Sequence, residues 1–437
     1  MKLFKYLLLG CLIITSCKTV STINTSNLVS SEMIEKAKAI HKRVMTIDTH
    51  IDINVKNFTD EVNYTQDLDN QVTLPKMQKG GLDCAWFVVY TGQREHTEEG
   101  YAKAYDDAIA KFNAIHKLAN KFAADQIGLA TTSEEAREIY KSGKKVAMIG
   151  VENGYPIGTD LSRVKEFYDL GARYISLSHN GHSQLCDSHT GEEEEEWLHN
   201  GVSDFGKQVI GEMNKWGIMI DVSHVAKNSM RDMIKYSKAP IIASHSSART
   251  LSDHSRNLDD EQLGWIKDNG GVVQAVAFNA YVDVEKAKKY KEAYDALLNE
   301  IGESRGFKVL PWSAVREMTK ADREAYIDLY IDIRKLAKTQ EGKVKKVVPP
   351  VNIEDFVDHI DYMVKKIGLE HVGISSDFDG GGGIEGWEDA SETLNVTIEL
   401  VKRGYTEEEI EKLWGGNLLR VLDEVQEVAK QIQEKAN

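Results

Sequence analysis

Short runs of apolar, mostly β-branched residues alternate along the chain with segments that have the charge spacing of helices. A continuous apolar run is what a strand needs when helices cover both faces of a parallel sheet. Eight strands alternating with helices are typical of a TIM-type (β/α)8 barrel, and an open doubly wound α/β sheet is the alternative. The pattern predicts the eight strands at 44–47, 84–90, 146–151, 172–177, 217–222, 240–243, 271–278 and 372–375.

Helices are predicted between these strands, and local signals support several of their ends. Asp204 and Asp260 are acidic residues at helix starts, and Gly217 follows a helix where a C-terminal glycine belongs. The stretch 281–346 breaks the alternation, because it is rich in Lys, Glu, Asp and Ala with helical spacing; it is predicted to be a helical insertion on the outside of the barrel. The other predicted helices span 102–121, 163–170, 204–216, 227–236, 260–268, 353–367 and 391–401.

The N-terminus reads MKLFKYLLLGCLIITSC, a short basic start followed by an apolar stretch. That stretch is too short to cross a bilayer, which needs about 20 residues, but it suits a signal peptide. The ending ITSC is typical of a bacterial lipoprotein signal in which Cys17 is lipidated, and an ordinary secretory signal is the alternative. We therefore expect a signal peptide over 1–17, a tether over 18–30 and the barrel over 31–437. The expected location is the cell envelope, on a membrane anchor that is periplasm-facing or surface-exposed.

The charge of the chain argues against nucleic-acid partners, and its cysteine content argues against a disulfide scaffold. With 54 Lys and Arg against 69 Asp and Glu, the 437-residue chain has a formal charge of −15. Such a chain lacks the basic surface on which nucleic-acid binding depends, so no nucleic-acid partner is expected. Four cysteines do not build a disulfide scaffold. Of the two that remain after export, Cys84 and Cys186, the sequence leaves open whether they pair or stay as buried thiols.

Metal-binding residue types follow the ends of six predicted strands. In an extended chain, residues two apart point to the same side, so His50 and Asp52 can bind one cation together. The carboxyl ends of barrel strands are where barrel enzymes build their sites, and imidazole with carboxylate suits zinc and similar divalent metals. Five candidate ligands exceed one tetrahedral site, so we predict two metals sharing a carboxylate in a metal-dependent hydrolase. The remaining strand-end candidates are Glu152, His179, His224, His245 and Asp377.

Seven segments occur in a fixed order along the chain: TIDTHID, GVENG, ARYISLSHN, GIMIDVSHV, ASHSSARTLSDHSRN, HVGISSDFDG and GGNLLRVL. Together they resemble the membrane dipeptidase (renal dipeptidase) family of metal-dependent hydrolases, over residues 40–280 and 350–425. The resemblance implies a (β/α)8 barrel with two zinc ions that cleaves dipeptides, including those with a C-terminal D-residue. It also implies a homodimer, which family members often form. Manganese or cobalt in place of zinc stays open.

The resemblance assigns each metal ligand to one of the two zinc ions. His50 and Asp52 would hold the first zinc, and His224 and His245 would hold the second. Glu152 would bridge the two ions. Each assignment is carried over from the matching motif of the family.

Three further residues receive roles from the resemblance. His179 would contact the substrate and polarise the scissile carbonyl. Arg256 would pair with the free carboxylate of the dipeptide, with a surface salt bridge as its alternative. Asp377 would be the acid–base residue, taking a proton from a hydroxide held between the zinc ions and passing it to the leaving amine.

Some features depart from the family pattern or leave the function open. The family usually has two glycines after the bridging glutamate, whereas Asn153 and Gly154 stand here, followed by Tyr155, which we expect to change the pocket wall. One alternative function is another binuclear amidohydrolase activity, such as lactone or cyclic-amide hydrolysis, which has no evident need for Arg256. A non-catalytic binding lipoprotein is a second alternative, and loss of Asp377 or of a metal ligand would have favoured it. Asp48, Asp221 and Asp379 either orient the ligands or cap strand ends, and the sequence does not choose between these two roles.

Overall fold

The computed structural model describes residues 30–436, so the predicted signal peptide, Cys17 and nearly all of the predicted tether lie outside the described residues. Within that range, nine parallel strands form one sheet. The strands are β1 (Ile47–Asp52), β2 (Cys84–Tyr90), β3 (Ile127–Leu129), β4 (Lys145–Glu152), β5 (Ala172–Ser176), β6 (Met219–Asp221), β7 (Ile242–Ala243), β8 (Val272–Val276) and β9 (Val372–Ser375). Their order in the sheet is β1-β2-β4-β5-β6-β7-β8-β9, with β3 paired to β4 beside this path.

The sheet closes between β1 and the segment that follows β9. Ile51 forms a parallel bridge with Phe378, and the amide of Asp52 donates to the carbonyl of Phe378 over 2.9 Å. The buried carboxylate of Asp48 adds a side-chain link, because its Oδ1 accepts from the amide of Ser376 over 3.0 Å. This closure confirms the predicted TIM-type barrel and excludes the open doubly wound sheet.

The helices alternate with the strands, as a barrel requires. Asp204 begins its helix after the N-cap Ser203, and Gly217 ends it with a left-handed φ of 80°, as predicted. In the described chain the helices are α1 (Ser31–Arg43), α2 (Leu74–Gly80), α3 (Glu98–Lys117), α4 (Ser133–Lys141), α5 (Ser162–Asp169), α6 (Gly191–Glu194), α7 (Asp204–Trp216), α8 (Lys227–Tyr236), α9 (Asp260–Asn269), α10 (Asn279–Val282), α11 (Val284–Ser304), α12 (Trp312–Glu317), α13 (Lys320–Lys345), α14 (Ile353–Ile367), α15 (Leu394–Arg403), α16 (Glu407–Glu411) and α17 (Asn417–Ala436).

The first strand lies later than predicted. The apolar pattern placed it at 44–47, whereas β1 spans Ile47–Asp52 and includes His50. Val44 instead caps α1, since its amide donates to the carbonyl of Ile40. The prediction was wrong because it followed apolar residues, while half of β1 consists of buried polar side chains.

One end of the barrel interior is filled by side chains. Leu418, Leu419 and Leu422 of α17 pack in one buried cluster with Ile47 and Met148 from the strands. This cluster closes the amino end of the strands, so open space inside the barrel is left at the carboxyl end, where the predicted site residues stand.

The stretch 281–346 folds mainly as α11, α12 and α13. Leu297 and Ile301 of α11 pack against Ile333 and Ala337 of α13 in a hydrophobic cluster separate from the barrel core.

Elsewhere, Cys84 and Cys186 are buried free thiols. Among the helices described, none is long and apolar enough to cross a membrane.

Candidate active site

Most of the predicted site residues meet in one cavity of about 660 Å³ at the carboxyl ends of the strands. Glu152 is the last residue of β4, and His224 and His245 follow β6 and β7. His50 and Arg256 lie behind this lining rather than in it. The lining consists of Asp52, Ile53, Asn54, Val55, Asn70, Tyr90, Lys111, Glu152, His179, Asn180, His224, His245, Phe278, Tyr281, Asp377, Asp379 and Gly380.

Glu152 occupies the centre of the cluster, and its two oxygens face different histidines. Oε1 lies 2.9 Å from Nε2 of His224 and 3.4 Å from Nε2 of His245. Oε2 lies 3.5 Å from Nε2 of His50, which is also 3.7 Å from Oδ2 of Asp52. The structure therefore brings the five predicted ligands together, with one carboxylate between two groups of donors.

The tautomer of His50 is set by Tyr174. The Tyr174 hydroxyl donates to the carbonyl of Thr49 over 3.0 Å, so it accepts from Nδ1–H of His50, 3.1 Å away. Nε2 of His50 is thereby left to the site, and this buried atom has no hydrogen-bond partner among the described residues. Partners of this kind orient the histidine ligands of metals.

The other two candidate ligand histidines are oriented in the same way. Ser244 Oγ donates to Asp221 Oδ2 over 2.6 Å, so it accepts from Nδ1–H of His245 over 2.8 Å. The side-chain oxygen of Asn180 accepts from Nδ1–H of His224 over 3.2 Å. All three histidines therefore direct Nε2 at Glu152. Asp221 acts as an orienting partner through Ser244, while Asp48 and Asp379 accept backbone amides.

This donor set fits divalent cations. The Nε2 atoms of His224 and His245 lie 3.0 Å apart, and each is the lone-pair side of its ring, so a cation between them would remove a repulsion. Burial lowers the pKa of His50, but the carboxylates of Glu152, Asp377 and Asp52 outweigh it and raise that pKa to about 9. The cluster thus favours a positive charge at its centre. Carboxylates and imidazole nitrogens are common zinc ligands.

Two of the site residues adopt left-handed backbone conformations. φ is 71° at His224 and 59° at Asp377, values that cost a non-glycine residue roughly 1–2 kcal/mol. Such strain concentrates at functional sites, where the surrounding structure holds it. Asn153, beside Glu152, has a φ of 73°, which asparagine tolerates better than most residues. The chain thus retains at Asn153 a conformation that glycine adopts freely.

His179 lines the cavity beside Glu152, with Nε2 at 3.8 Å from Oε1. Its ring packs between those of Tyr90 and His224, at centroid distances of 4.7 and 4.1 Å. Burial lowers the pKa of His179, although the nearby Glu152 carboxylate opposes this shift. The lowered pKa favours the neutral ring. A neutral imidazole can donate one hydrogen bond to an oxygen bound in the cavity.

Asp377 follows β9 and reaches the same cluster. Its Oδ1 lies 3.9 Å from Nε2 of His50. Burial raises the pKa of Asp377 well above its usual value, and the carboxylates of Asp52 and Glu152 add to the rise. Gly380 makes room for this arrangement, since a Cβ there would lie 2.4 Å from the carboxylate oxygens of both Asp377 and Asp52.

Arg256 is buried rather than on the surface, with 3% of its area exposed. Its Nη2 donates to the carbonyl of His245 over 2.9 Å and its Nη1 to Ser246 Oγ over 3.3 Å, while Nε has no partner among the described residues. The guanidinium stands 5.3 Å from the ring centre of Tyr281, which lines the cavity. The surface salt bridge considered for Arg256 is therefore wrong.

Several cavity residues were not predicted from the sequence. Tyr90, Lys111 and Tyr281 line the cavity from a strand end or from helices, and no motif in the chain singles them out. Tyr90 ends β2, where a search for aromatic residues at strand ends would have found it. Tyr155, which was expected to change the pocket wall, is wholly buried and does not belong to the lining.

The fold and the clustered ligands define a metal-dependent hydrolase on a TIM barrel. The chain belongs to the membrane dipeptidase family (peptidase family M19), whose sequence model matches residues 34–436. It is therefore an M19 metallo-dipeptidase.

Individual relatives agree with that assignment. The dipeptidase aclJ of Aspergillus oryzae is 29% identical over 380 residues, which cover 86% of this chain and 74% of that protein. The structure of the probable dipeptidase PvdM from Pseudomonas aeruginosa is 30% identical with a TM-score of 0.74, covering 91% of this chain and 99% of the other. A metallopeptidase of Rhodobacter sphaeroides, liganded with a phosphinate mimic of L-Ala-D-Ala, shares the fold at 20% identity and a TM-score of 0.64, covering 87% and 99%.

Proposed function

We propose that this dipeptidase works with two zinc ions and accepts dipeptides with a C-terminal D-residue. His50, Asp52 and Glu152 would hold one ion, and Glu152, His224 and His245 the other. The observation that carries the proposal is the orientation of Glu152, whose two oxygens face separate histidine groups. A carboxylate in that position can bind two cations at once.

Bound zinc ions would supply Lewis acidity and lower the pKa of a water molecule. The residues of the chain would do the rest. Neutral His179 would donate from its ring to the oxygen of the scissile carbonyl as negative charge develops there. Asp377 would accept a proton from the attacking water on a carboxylate oxygen and deliver it to the leaving amine. Its place at the cavity wall beside His50 supports this shuttle.

Arg256 would bind the free carboxylate of the dipeptide. Its guanidinium is buried and its Nε has no partner within residues 30–436, so a carboxylate that reached it would satisfy that donor. Tyr281 stands over the guanidinium and lines the cavity, so this interaction requires the substrate to pass beside the Tyr281 ring.

We further propose that the protein is an exported lipoprotein anchored through Cys17, and that it forms a homodimer. The basic and apolar N-terminus and the ITSC motif support the anchor. Radiolabelled palmitate incorporation into wild-type protein, but not into Cys17→Ala, would test the anchor. Light scattering on the soluble form would test the dimer.

The function is tested by dipeptide hydrolysis with protein lacking residues 1–17. The panel pairs L-Ala-L-Ala with L-Ala-D-Ala, before and after chelation and after return of zinc. Activity that disappears with the metal and returns at two zinc ions per chain is the expected result. Two bound zinc ions without turnover of any dipeptide would overturn the proposal and direct attention to lactones and cyclic amides.

A further inference from the structure

Lys111 projects from α3 into the cavity, where it is the only lysine or arginine among the described lining residues. Its side chain is 15% exposed, and its ammonium lies 5.2 Å from the ring centre of Tyr90. The nearest carboxylate oxygen is Oδ1 of Asp52 at 4.0 Å, which is too long for a hydrogen bond. The three ammonium donors therefore remain available to a ligand in the cavity.

Lys111 and Arg256 approach the cavity from opposite sides. Lys111 lies on α3, which follows β2, and Arg256 lies between β7 and α9. In the eight-stranded ring, β2 and β7 are four positions apart and so face each other across the barrel. His179 follows β5, which lies between β2 and β7 in the ring order, and both its ring and the Lys111 ammonium lie near the ring of Tyr90.

This arrangement fixes the orientation of the bound dipeptide in the cavity, an inference that rests on the proposed function. With its terminal carboxylate at Arg256 and its scissile carbonyl at His179, the N-terminal residue would lie on the Lys111 side. We infer that Lys111 determines specificity by binding an anionic side chain on that residue. The preferred substrates are therefore dipeptides that begin with Glu or Asp. A carboxylate there would form a charge-assisted hydrogen bond in a partly buried position.

The test compares two substrates of nearly equal shape, L-Glu-D-Ala and L-Gln-D-Ala, which differ in the charge of one side chain. The wild-type enzyme should prefer the glutamyl substrate by about tenfold or more in kcat/KM, as expected for a hydrogen bond between charged groups. Lys111→Met, which keeps the length of the side chain, should bring the ratio close to one. Lys111→Arg should retain much of the preference. Lys103→Met, an exposed site on the same helix, should leave the ratio at its wild-type value.

Three outcomes would overturn the inference. One is a wild-type ratio near one, and another is an unchanged ratio in Lys111→Met. The third is a Lys111→Met enzyme that loses zinc and slows equally on both substrates, because Lys111 would then only position Asp52. If the wild-type protein hydrolyses no dipeptide, the proposed function fails separately. Calorimetry would then measure the binding of L-Glu-D-Ala and L-Gln-D-Ala to the zinc-loaded wild type and to zinc-loaded Lys111→Met. The ratio of the two dissociation constants, compared between the two proteins, would decide the inference.

Discussion

Oε1 of Glu152 lies 2.9 Å from Nε2 of His224, while Oε2 of the same carboxylate lies 3.5 Å from Nε2 of His50. A single side chain at the end of β4 thus links donors from β1 with donors that follow β6 and β7. The nearby histidines, His50 foremost, outweigh burial and hold the pKa of Glu152 well below its usual value. The carboxylate is therefore ionised and ready to bind cations on both sides.

Glu152→Gln should abolish binding of both zinc ions, because an amide offers one weak oxygen ligand in place of two. Asp52→Asn should mainly release the ion next to His50. Activity of Glu152→Gln should fall more than about 100-fold, since even outer partners of metal ligands contribute 10- to 100-fold. Elemental analysis of the purified proteins measures the zinc content. The control is Glu134→Gln on the surface of α4. Two zinc ions retained by Glu152→Gln would refute the bridging role.

Asp377→Asn should keep both zinc ions and lose most of its turnover. The amide is nearly isosteric but cannot accept and release the proton, so kcat should fall about 10²- to 10⁴-fold. Stopped-flow or steady-state hydrolysis of L-Ala-D-Ala measures kcat, and zinc analysis of the same sample shows that the site is loaded. A near-normal kcat would remove Asp377 from the mechanism.

Arg256→Lys keeps the charge but removes the planar fork that suits a carboxylate. It should raise KM for a dipeptide with a free C-terminal carboxylate by about tenfold or more. The corresponding dipeptide amide should be affected much less. Because Arg256 also supports the carbonyl of His245, zinc content is measured alongside. If the acid and the amide are discriminated as in the wild type, the carboxylate-binding role is wrong.

Tyr174→Phe and Ser244→Ala remove the partners of Nδ1 on His50 and His245. Each should weaken zinc binding by about 10- to 100-fold, because the ring loses the bond that fixes its tautomer and direction. Competition with a fluorescent chelator measures the affinity. Tyr330→Phe on α13, far along the insertion, is the matched control. Wild-type affinity in both variants would show that packing alone orients the rings.

Zinc binding should release a proton from His50 at neutral pH. The pKa of His50 is raised to about 9 in the metal-free protein, so the ring is protonated at pH 7 and must lose its proton to bind a metal. Zinc affinity should therefore increase about tenfold per pH unit between roughly pH 6.5 and 8.5. Calorimetric titrations in buffers with different ionisation enthalpies count the protons. Affinity independent of pH over this range would contradict the charged state of His50.

The barrel and the clustering of the five candidate ligands could be predicted because their signals are local. Buried parallel strands require apolar runs, and the ligands follow those runs directly, as Glu152 does on β4. The first strand was misplaced because His50 and Asp52 belong to the strand itself. Its polar residues are buried by neighbours that are distant in sequence.

The residues that contact the candidate ligands, and those that reach the cavity from helices, could not be predicted for the same reason. Tyr174 lies 124 residues from His50, and only the closed barrel brings its hydroxyl to the ring. Lys111 reaches the cavity from the middle of a helix that otherwise has the charge pattern of a solvated surface. Such contacts depend on tertiary packing, which leaves no trace in local spacing.

The closure between β1 and β9 has a consequence for the folding stability of the protein. Beyond one parallel bridge at Ile51 and Phe378, few backbone bonds join the two strands. This sparsely bonded edge of the barrel borders Asp52, and metals held by residues of β1 and β4 and by the histidines after β6 and β7 would cross-link the sheet beside it. Metal loss should therefore promote local opening there, seen as faster amide hydrogen exchange over 48–52 and 375–379. Zinc supply would then control the lifetime of the folded enzyme as well as its activity.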